Sequence, residues 1–321
     1  MLTIATNPAA PMTRYLVEQT NIFRDDPVTI VDVGARWGFN TEWEVFGKNL
    51  RVICFEPDEE ECNRLNAAAK PNVKYLPYAL GRAAGTAAFY ETKLSASSGI
   101  YKTNMDYFSR LLNRENGAVV GETTINLVTL EEALRKLSVH AVDFIKLDVE
   151  GAELDVLMGA GKYLEGQEVI GVLSEVRFQE EINGSPVFCQ LDQFLRRYGF
   201  RMFDLQYYHQ SRHVLPYPGL SDYRTPQGER FFAYTTHGQI MNGDALYFRD
   251  LLIPANQELR ANATGIQLLK AAAFLEIYCF NDCAAELIVM HQAQLAGIVD
   301  WPQLLELLTP EVSGEKLSHK D

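Results

Sequence analysis

From residue 28 onward the chain alternates between two hydrophobic patterns. Short β-branched and apolar runs lie at Val28–Val33 (VTIVDV), Arg51–Phe55 (RVICF), Val73–Pro77, Val142–Leu147 (VDFIKL) and Val169–Val176 (VIGVLSEV). Such runs are the pattern of strands buried on both faces. Phe200–Leu205 and Ala245–Arg249 extend the series, and Ala87–Tyr90 reads as a small extra strand. Between the strands, Phe39–Gly47, Glu59–Lys70, Leu130–Leu137, Ala152–Leu164 and Gln190–Tyr198 carry helical spacing. Glu59–Lys70 has acids in its first turn and stops before Pro71, whereas Leu130–Leu137 opens on Thr129 with Glu132 three residues later, a capping box. This alternation predicts a doubly wound, mainly parallel α/β sheet, whose ligands bind beyond the carboxyl ends of the strands.

Three segments depart from the rhythm. Residues 1–27, with Pro8, Pro11 and Pro27, read as an N-terminal segment holding one short helix around Tyr15–Phe23. Residues 206–243, rich in Tyr and His among glycines and prolines, read as a lid inserted into an α/β domain spanning 28–250. Residues 251–321 read as a C-terminal helical appendage with helices at Gly265–Phe280, Ala284–Ala296 and Trp301–Leu308. The apolar positions Leu268, Leu269, Ala272, Leu275 and Ile277 must be buried, more often against their own domain than in a homodimer through these helices.

Composition narrows the partners. The 321 residues are 47% hydrophobic and 22% charged, a globular balance that excludes wholesale disorder. A net charge of −13 argues against nucleic acid or anionic membrane as the main partner, while leaving room for a local basic pocket. Neither an apolar leader region nor a run of about 20 apolar residues occurs, so the expectation is a cytoplasmic protein without a membrane span. The five cysteines are scattered; Cys279 and Cys283 sit one helical turn apart without a second Cys/His pair, and read as inert thiols rather than a metal or redox pair.

Three motifs fall at strand ends. In VDVGARWGFN (31–40), Gly34 and Gly38 occupy a strand-to-helix turn where backbone approaches a ligand, with Asp32 just before it. Arg36 stands where a dinucleotide fingerprint needs its second glycine, which disfavours a pyrophosphate on the turn. In CFEPD (54–58), Glu56 follows the second strand 22 residues after Gly34, where an acid can accept hydrogen bonds from ribose hydroxyls; Asp58 is better placed to cap the next helix. In IKLDVEGAE (145–153), Asp148 and Glu150 follow the fourth strand. They suit hydroxyl binding, base catalysis or a divalent ion, or else Asp148 caps the helix while Glu150 and Glu153 serve its dipole. Glu175 adds a third carboxylate nearby, with an ion pair to Arg177 as its structural alternative. No GxSxG elbow, P-loop or HExxH spacing occurs.

In order and spacing, VDVGARWGFN, FEPD, YALG (78–81), TLEEAL (129–134) and IKLDVEGAE resemble the FkbM family of S-adenosylmethionine-dependent methyltransferases, over roughly residues 28–176; DALYFRD (244–250) is similar to that family's closing strand. The resemblance implies a Rossmann-like class I fold with a seven-stranded, mostly parallel sheet whose last strand is antiparallel. It implies that Asp32, Gly34, Ala35 and Gly38 face the methionine part of S-adenosylmethionine and that Glu56 binds the ribose. Pro57, Asp58, Ala79 and Leu80 would lie about the adenine, and Asp148 near the sulfonium.

The reaction implied is O-methylation of a hydroxyl on a small sugar, glycolipid or secondary-metabolite acceptor. Asp148, Glu150 or Glu175 would serve as base, with His209 a less secure alternative, and with or without a divalent ion. Two other readings are weaker. One is a nicotinamide-dependent oxidoreductase, disfavoured by Arg36. The other is a methyltransferase-like module acting through its C-terminal helices on a protein partner, disfavoured by the intact Gly34, Glu56 and Asp148.

Overall fold

The computed structural model describes residues 4–166, 168–220, 222–224, 230–232, 234–312 and 315–316. The part of the expected lid at 221, 225–229 and 233 therefore lies outside the described residues, as do 313–314 and 317–321 of the C-terminal segment. No helix among the described residues is long and apolar enough to cross a membrane.

In chain order the first twelve strands are β1 (Val28–Val33), β2 (Leu50–Phe55), β3 (Val73–Leu76), β4 (Ala79–Leu80), β5 (Gly85–Thr92), β6 (Val119–Val128), β7 (Phe144–Leu147), β8 (Gly171–Arg177), β9 (Phe200–Gln210), β10 (Asp222–Arg224), β11 (Arg230–Phe232) and β12 (Gln239–Arg249). Seven form the main sheet in the order β3-β2-β1-β7-β8-β12-β9. β1, β2, β3, β7 and β8 pair in parallel, while β12 runs antiparallel to both β8 and β9. The fold class expected from the sequence is thus present, with the reversed strand inserted between β8 and β9. A second, three-stranded sheet of order β4-β6-β5 flanks the site.

Side chains of the sheet alternate between two cores. On one face, Val31, Val33, Ile53, Ile145 and Val172 pack under the helices Leu130–Lys136, Glu153–Met158 and Phe188–Arg197. On the other, Val28, Ile30, Val52, Phe144 and Phe248 meet residues from both termini. Phe144 stacks on Phe274 and Tyr278, at 4.9 and 5.6 Å between ring centroids. The helix Gly265–Ile277 is apolar nearly all round and is buried along almost its whole length. Its Glu276 carboxylate accepts hydrogen bonds from the N–H groups of Met12 and Thr13 at 2.8 and 2.7 Å, capping the short N-terminal helix Pro11–Arg14. Its Lys270 ammonium is paired with Asp143 and Asp26. The two terminal segments are therefore one layer of the core, packed on the sheet rather than appended to it.

Several elements differ from their sequence pattern. Phe39–Gly47 is not an α-helix but part of a 3₁₀ run, Thr41–Asn49, broken at Gly47 where φ is +53°. The N-terminal helix starts earlier, at Pro11, and continues as a wider turn over Tyr15–Thr20. Ala152–Leu164 splits into Glu153–Met158 and Lys162–Glu165 around Gly161, whose φ of +50° cannot continue a helix. Residues 206–210 belong to β9 and 239–243 to β12, so the irregular stretch between these strands is shorter than its composition implies.

Candidate functional site

The loops after β1, β2, β3 and β7 enclose a cavity of about 600 Å³. Gly34, Gly38, Glu56, Pro57, Ala79, Leu80, Asp148 and Glu150 all line it, so residues spread over more than 110 positions of sequence meet in one place. Glu56 is 3% exposed and accepts a hydrogen bond from the Asp58 N–H through Oε1 at 2.9 Å. Burial raises its carboxyl above the usual range, opposed by that N–H and by the Arg36 guanidinium 3.9 Å away. Phe55, Pro57, Tyr78, Ala79 and Leu80 supply an apolar wall beside it.

The remaining expected residues are placed otherwise. Ala35 is buried and Asp58 caps the helix Glu59–Ala68 by accepting from the Glu60 and Glu61 N–H groups; neither is part of the cavity lining. Asp32 is fully buried behind the glycine turn, with Oδ1 3.2 Å from the Lys146 ammonium and Oδ2 without a hydrogen-bond partner. The helix Glu153–Met158 has Ala152 at its N-cap and no side-chain cap hydrogen bond; Glu153 Oε1 instead accepts from the Val149 and Gly151 N–H groups of the preceding turn. Asp148 and Glu150 are thereby released from a capping role. Glu150 itself holds φ +54°, a left-handed conformation that is costly for a residue with a side chain, and Gly151 follows at +101°.

Lys146 lies inside IKLDVEGAE but is given no role by the sequence, yet its ammonium bridges Asp32 and Asp148 at 3.2 and 3.5 Å and lines the cavity. Burial alone would lower its pKa; the two carboxylates more than offset that and hold it raised. A cation within an otherwise apolar strand run is the signal that could have found it, because a charge so placed must be paired.

A second cavity, of about 240 Å³, opens beyond the first. The two share Trp37, Ala96, Asp148, Glu150 and Asp244 in their walls. Trp37 is 52% exposed. Glu175, Arg177, Glu181, Tyr208, Gln210, Tyr234 and Asn242 complete the second cavity's polar and aromatic lining. Tyr208 stacks on Tyr234 at 4.2 Å and donates to Asp244 Oδ2 at 2.6 Å. His209 does not line it: along β9, Tyr208 and Gln210 face the cavity, while His209 lies against Tyr207 and His237.

Carboxylate oxygens of Asp148, Glu150 and Glu175 lie within 4.8 Å of one another, close enough to hold a cation. Arg177 is among them, donating to Glu150 Oε2 and Glu175 Oε2 at 2.8 Å each. Burial pushes Glu150 up to about 7 against the opposing pull of Arg177, and drives Glu175 well above the carboxylate range. Cys279 and Cys283 are free thiols, as are Cys54, Cys62 and Cys189.

The sheet order, the reversed β12 and a cavity across the carboxyl ends of the central strands define a class I, Rossmann-like methyltransferase fold. Within that class the chain belongs to the FkbM methyltransferases: the methyltransferase FkbM domain matches residues 32–202. This membership sets aside the oxidoreductase reading. No curated protein matches the chain. Similar solved structures include a precorrin-6y C5,15-methyltransferase from Geobacter metallireducens (10% identity, covering 77% of this chain and 93% of that one, TM-score 0.35). A putative RNA methyltransferase from Pyrococcus horikoshii (13%, 75% and 83%, 0.30) and a putative O-methyltransferase from Klebsiella pneumoniae (11%, 75% and 80%, 0.30) are also similar. At these scores the likenesses carry no argument about this chain's substrate.

Proposed function

We propose that the protein transfers the methyl group of S-adenosylmethionine to a hydroxyl oxygen of a small, uncharged acceptor. The donor fits the larger cavity by its chemistry. The apolar wall of Pro57, Ala79 and Leu80 suits an adenine ring, the buried Glu56 suits the ribose hydroxyls, and the acidic rim at Asp148 suits a sulfonium cation. When bound, that donor supplies an already activated methyl group, which leaves the protein to align a nucleophile and take its proton.

The observation that carries this reading is the shared wall: Asp148, Glu150 and Asp244 border both cavities, so a hydroxyl seated in the smaller one meets carboxylates where the larger one ends. Glu150 is the base we assign. A carboxylate held near neutral proton affinity is matched to taking a proton at pH 7, and Arg177 fixes one of its oxygens while no described residue bonds the other. Asp148 orients the donor side, paired with Lys146. Glu175 is committed to Arg177 and Asn242 and is not the base.

The second cavity sets five carboxylates (Asp148, Glu150, Glu175, Glu181 and Asp244) against one guanidinium, a lining that disfavours phosphate and so argues against a nucleic-acid acceptor. Transfer of labelled methyl from S-adenosylmethionine to a panel of neutral hydroxylated compounds tests the reading. Methylation abolished by Glu150→Gln supports it. Preferential labelling of RNA or of phosphorylated acceptors would overturn it.

A further inference from the structure

Asp148, Glu150 and Glu175 have the spacing of a divalent-cation site, and the structure also contains what stands in that position. Glu175 and Arg177 are two residues apart on β8 and therefore project from the same face of the strand. The guanidinium folds back so that NH2 bridges Glu150 Oε2 and Glu175 Oε2 at 2.8 Å each, and NH1 reaches Glu175 Oε1 at 3.3 Å and Glu181 Oε1 at 3.4 Å. The Asn242 amide donates to the same Glu175 Oε1 at 2.8 Å. A metal ion held by Glu150 and Glu175 needs oxygens at about 2.0–2.6 Å, which places it in the gap that this nitrogen already spans. Arg177 is 4% exposed and a guanidinium does not deprotonate, so its positive charge is permanent and would repel a divalent ion brought alongside.

We propose that Arg177 is the resident cation of the acceptor site, occupying the place of a divalent ion and positioning Glu150 and Glu175, so that this chain works without a metal. The inference rests on the acceptor-site reading above, but its test does not need the acceptor. Arg177 is a positioning residue: it reaches the acceptor hydroxyl only through Glu150, whose Oε2 it tethers.

The experiment is calorimetric titration of Mn²⁺ into chelator-treated, full-length protein saturated with S-adenosylhomocysteine, for the wild type, Arg177→Met and Arg177→Met/Glu175→Gln. The wild type is expected to show no site tighter than millimolar. Arg177→Met is expected to gain one site at least roughly tenfold tighter, because three carboxylates lose their internal cation, and the double variant to lose it again. A purely structural role would not create a metal site. Should Arg177→Met not fold alone, added Mn²⁺ is expected to restore its cooperative unfolding transition, and failure of that rescue contradicts the proposal. A wild-type Mn²⁺ site in the micromolar range that Glu175→Gln removes would overturn it, as would a folded Arg177→Met that gains none. Titration of S-adenosylhomocysteine into the same samples reports separately on the donor site, so failure there would indict the methyltransferase reading and not this one.

Discussion

A Cβ placed on Gly34 would overlap the carbonyl oxygen of Asp148. The glycine turn after β1 and the acidic turn after β7 are therefore in backbone contact, held also by the Asp148 N–H donating to Val33 O at 3.0 Å. The sequence pattern places a close approach at Gly34 but assigns it to a ligand; the structure assigns it first to the backbone of the turn after β7. The larger cavity and the carboxylates that border the smaller one thus share one backbone contact, through which a change at either turn reaches the other.

Gly34→Ala tests that coupling. Its φ of +85° is unfavourable for alanine and the added methyl meets backbone rather than a movable side chain. We expect a loss of at least about 2 kcal/mol in chemical denaturation, with donor-analogue binding lost in whatever fraction stays folded. Unchanged stability would mean that the two turns separate freely.

Lys146→Met removes the one side-chain partner that the wholly buried Asp32 carboxylate has among the described residues. Leaving that charge unpaired is expected to cost about 3–5 kcal/mol, and adding Asp32→Asn is expected to return much of it, since the buried charge is then gone too. Equal destabilisation by the single and the double variant would show that Lys146 acts through packing alone.

Buried acid groups give the stability a pH signature. Asp143 and Asp244 are pushed up to about 6 and Glu150 to about 7, in each case chiefly by burial. Folded-state values above the unfolded ones mean that the native protein holds these protons more tightly. Their contribution is thus fully present below the unfolded values and is lost as pH rises through 6 to 7. Calorimetric scans are expected to show Tm falling between roughly pH 5 and roughly pH 7.5. Glu150→Gln should flatten the upper part of that fall, and a Tm rising through the window would contradict the assignment.

Much of this architecture was legible because β1, β2, β3, β7 and β8 are buried on both faces, which forces unbroken β-branched runs with sharp ends. β6 went unread because Gly121, Glu122, Thr123, Thr124 and Asn126 give its middle a polar face, and a half-exposed strand in a side sheet has weak periodicity. The extensions of β9 and β12 read as lid for a similar reason: aromatic and polar residues such as Tyr208, Gln210 and Asn242 line a cavity there instead of a core. The C-terminal helices were correctly read as helices, but an all-round apolar pattern does not say what it packs against, and only the fold shows Phe274 on Phe144. In the site, acids following strands were visible as motifs. Arg177 is legible only as the ion-pair partner of Glu175, which it is, while Lys146 and Asn242 carry no role in the sequence, since a lone charged or amide side chain gains meaning only from the groups that folding brings to it.

The central claim is that the cavity bordered by Glu56 and Asp148 binds the methyl donor. Calorimetric titration of S-adenosylhomocysteine into donor-free protein tests it most directly, with Glu56→Ala alongside. Micromolar binding by the wild type is expected, weakened roughly 10–100-fold in Glu56→Ala with the unfolding transition retained, the loss set by hydrogen bonds to a buried charge. A well-folded wild type that binds nothing, or a Glu56→Ala variant with unaltered affinity, would contradict the account.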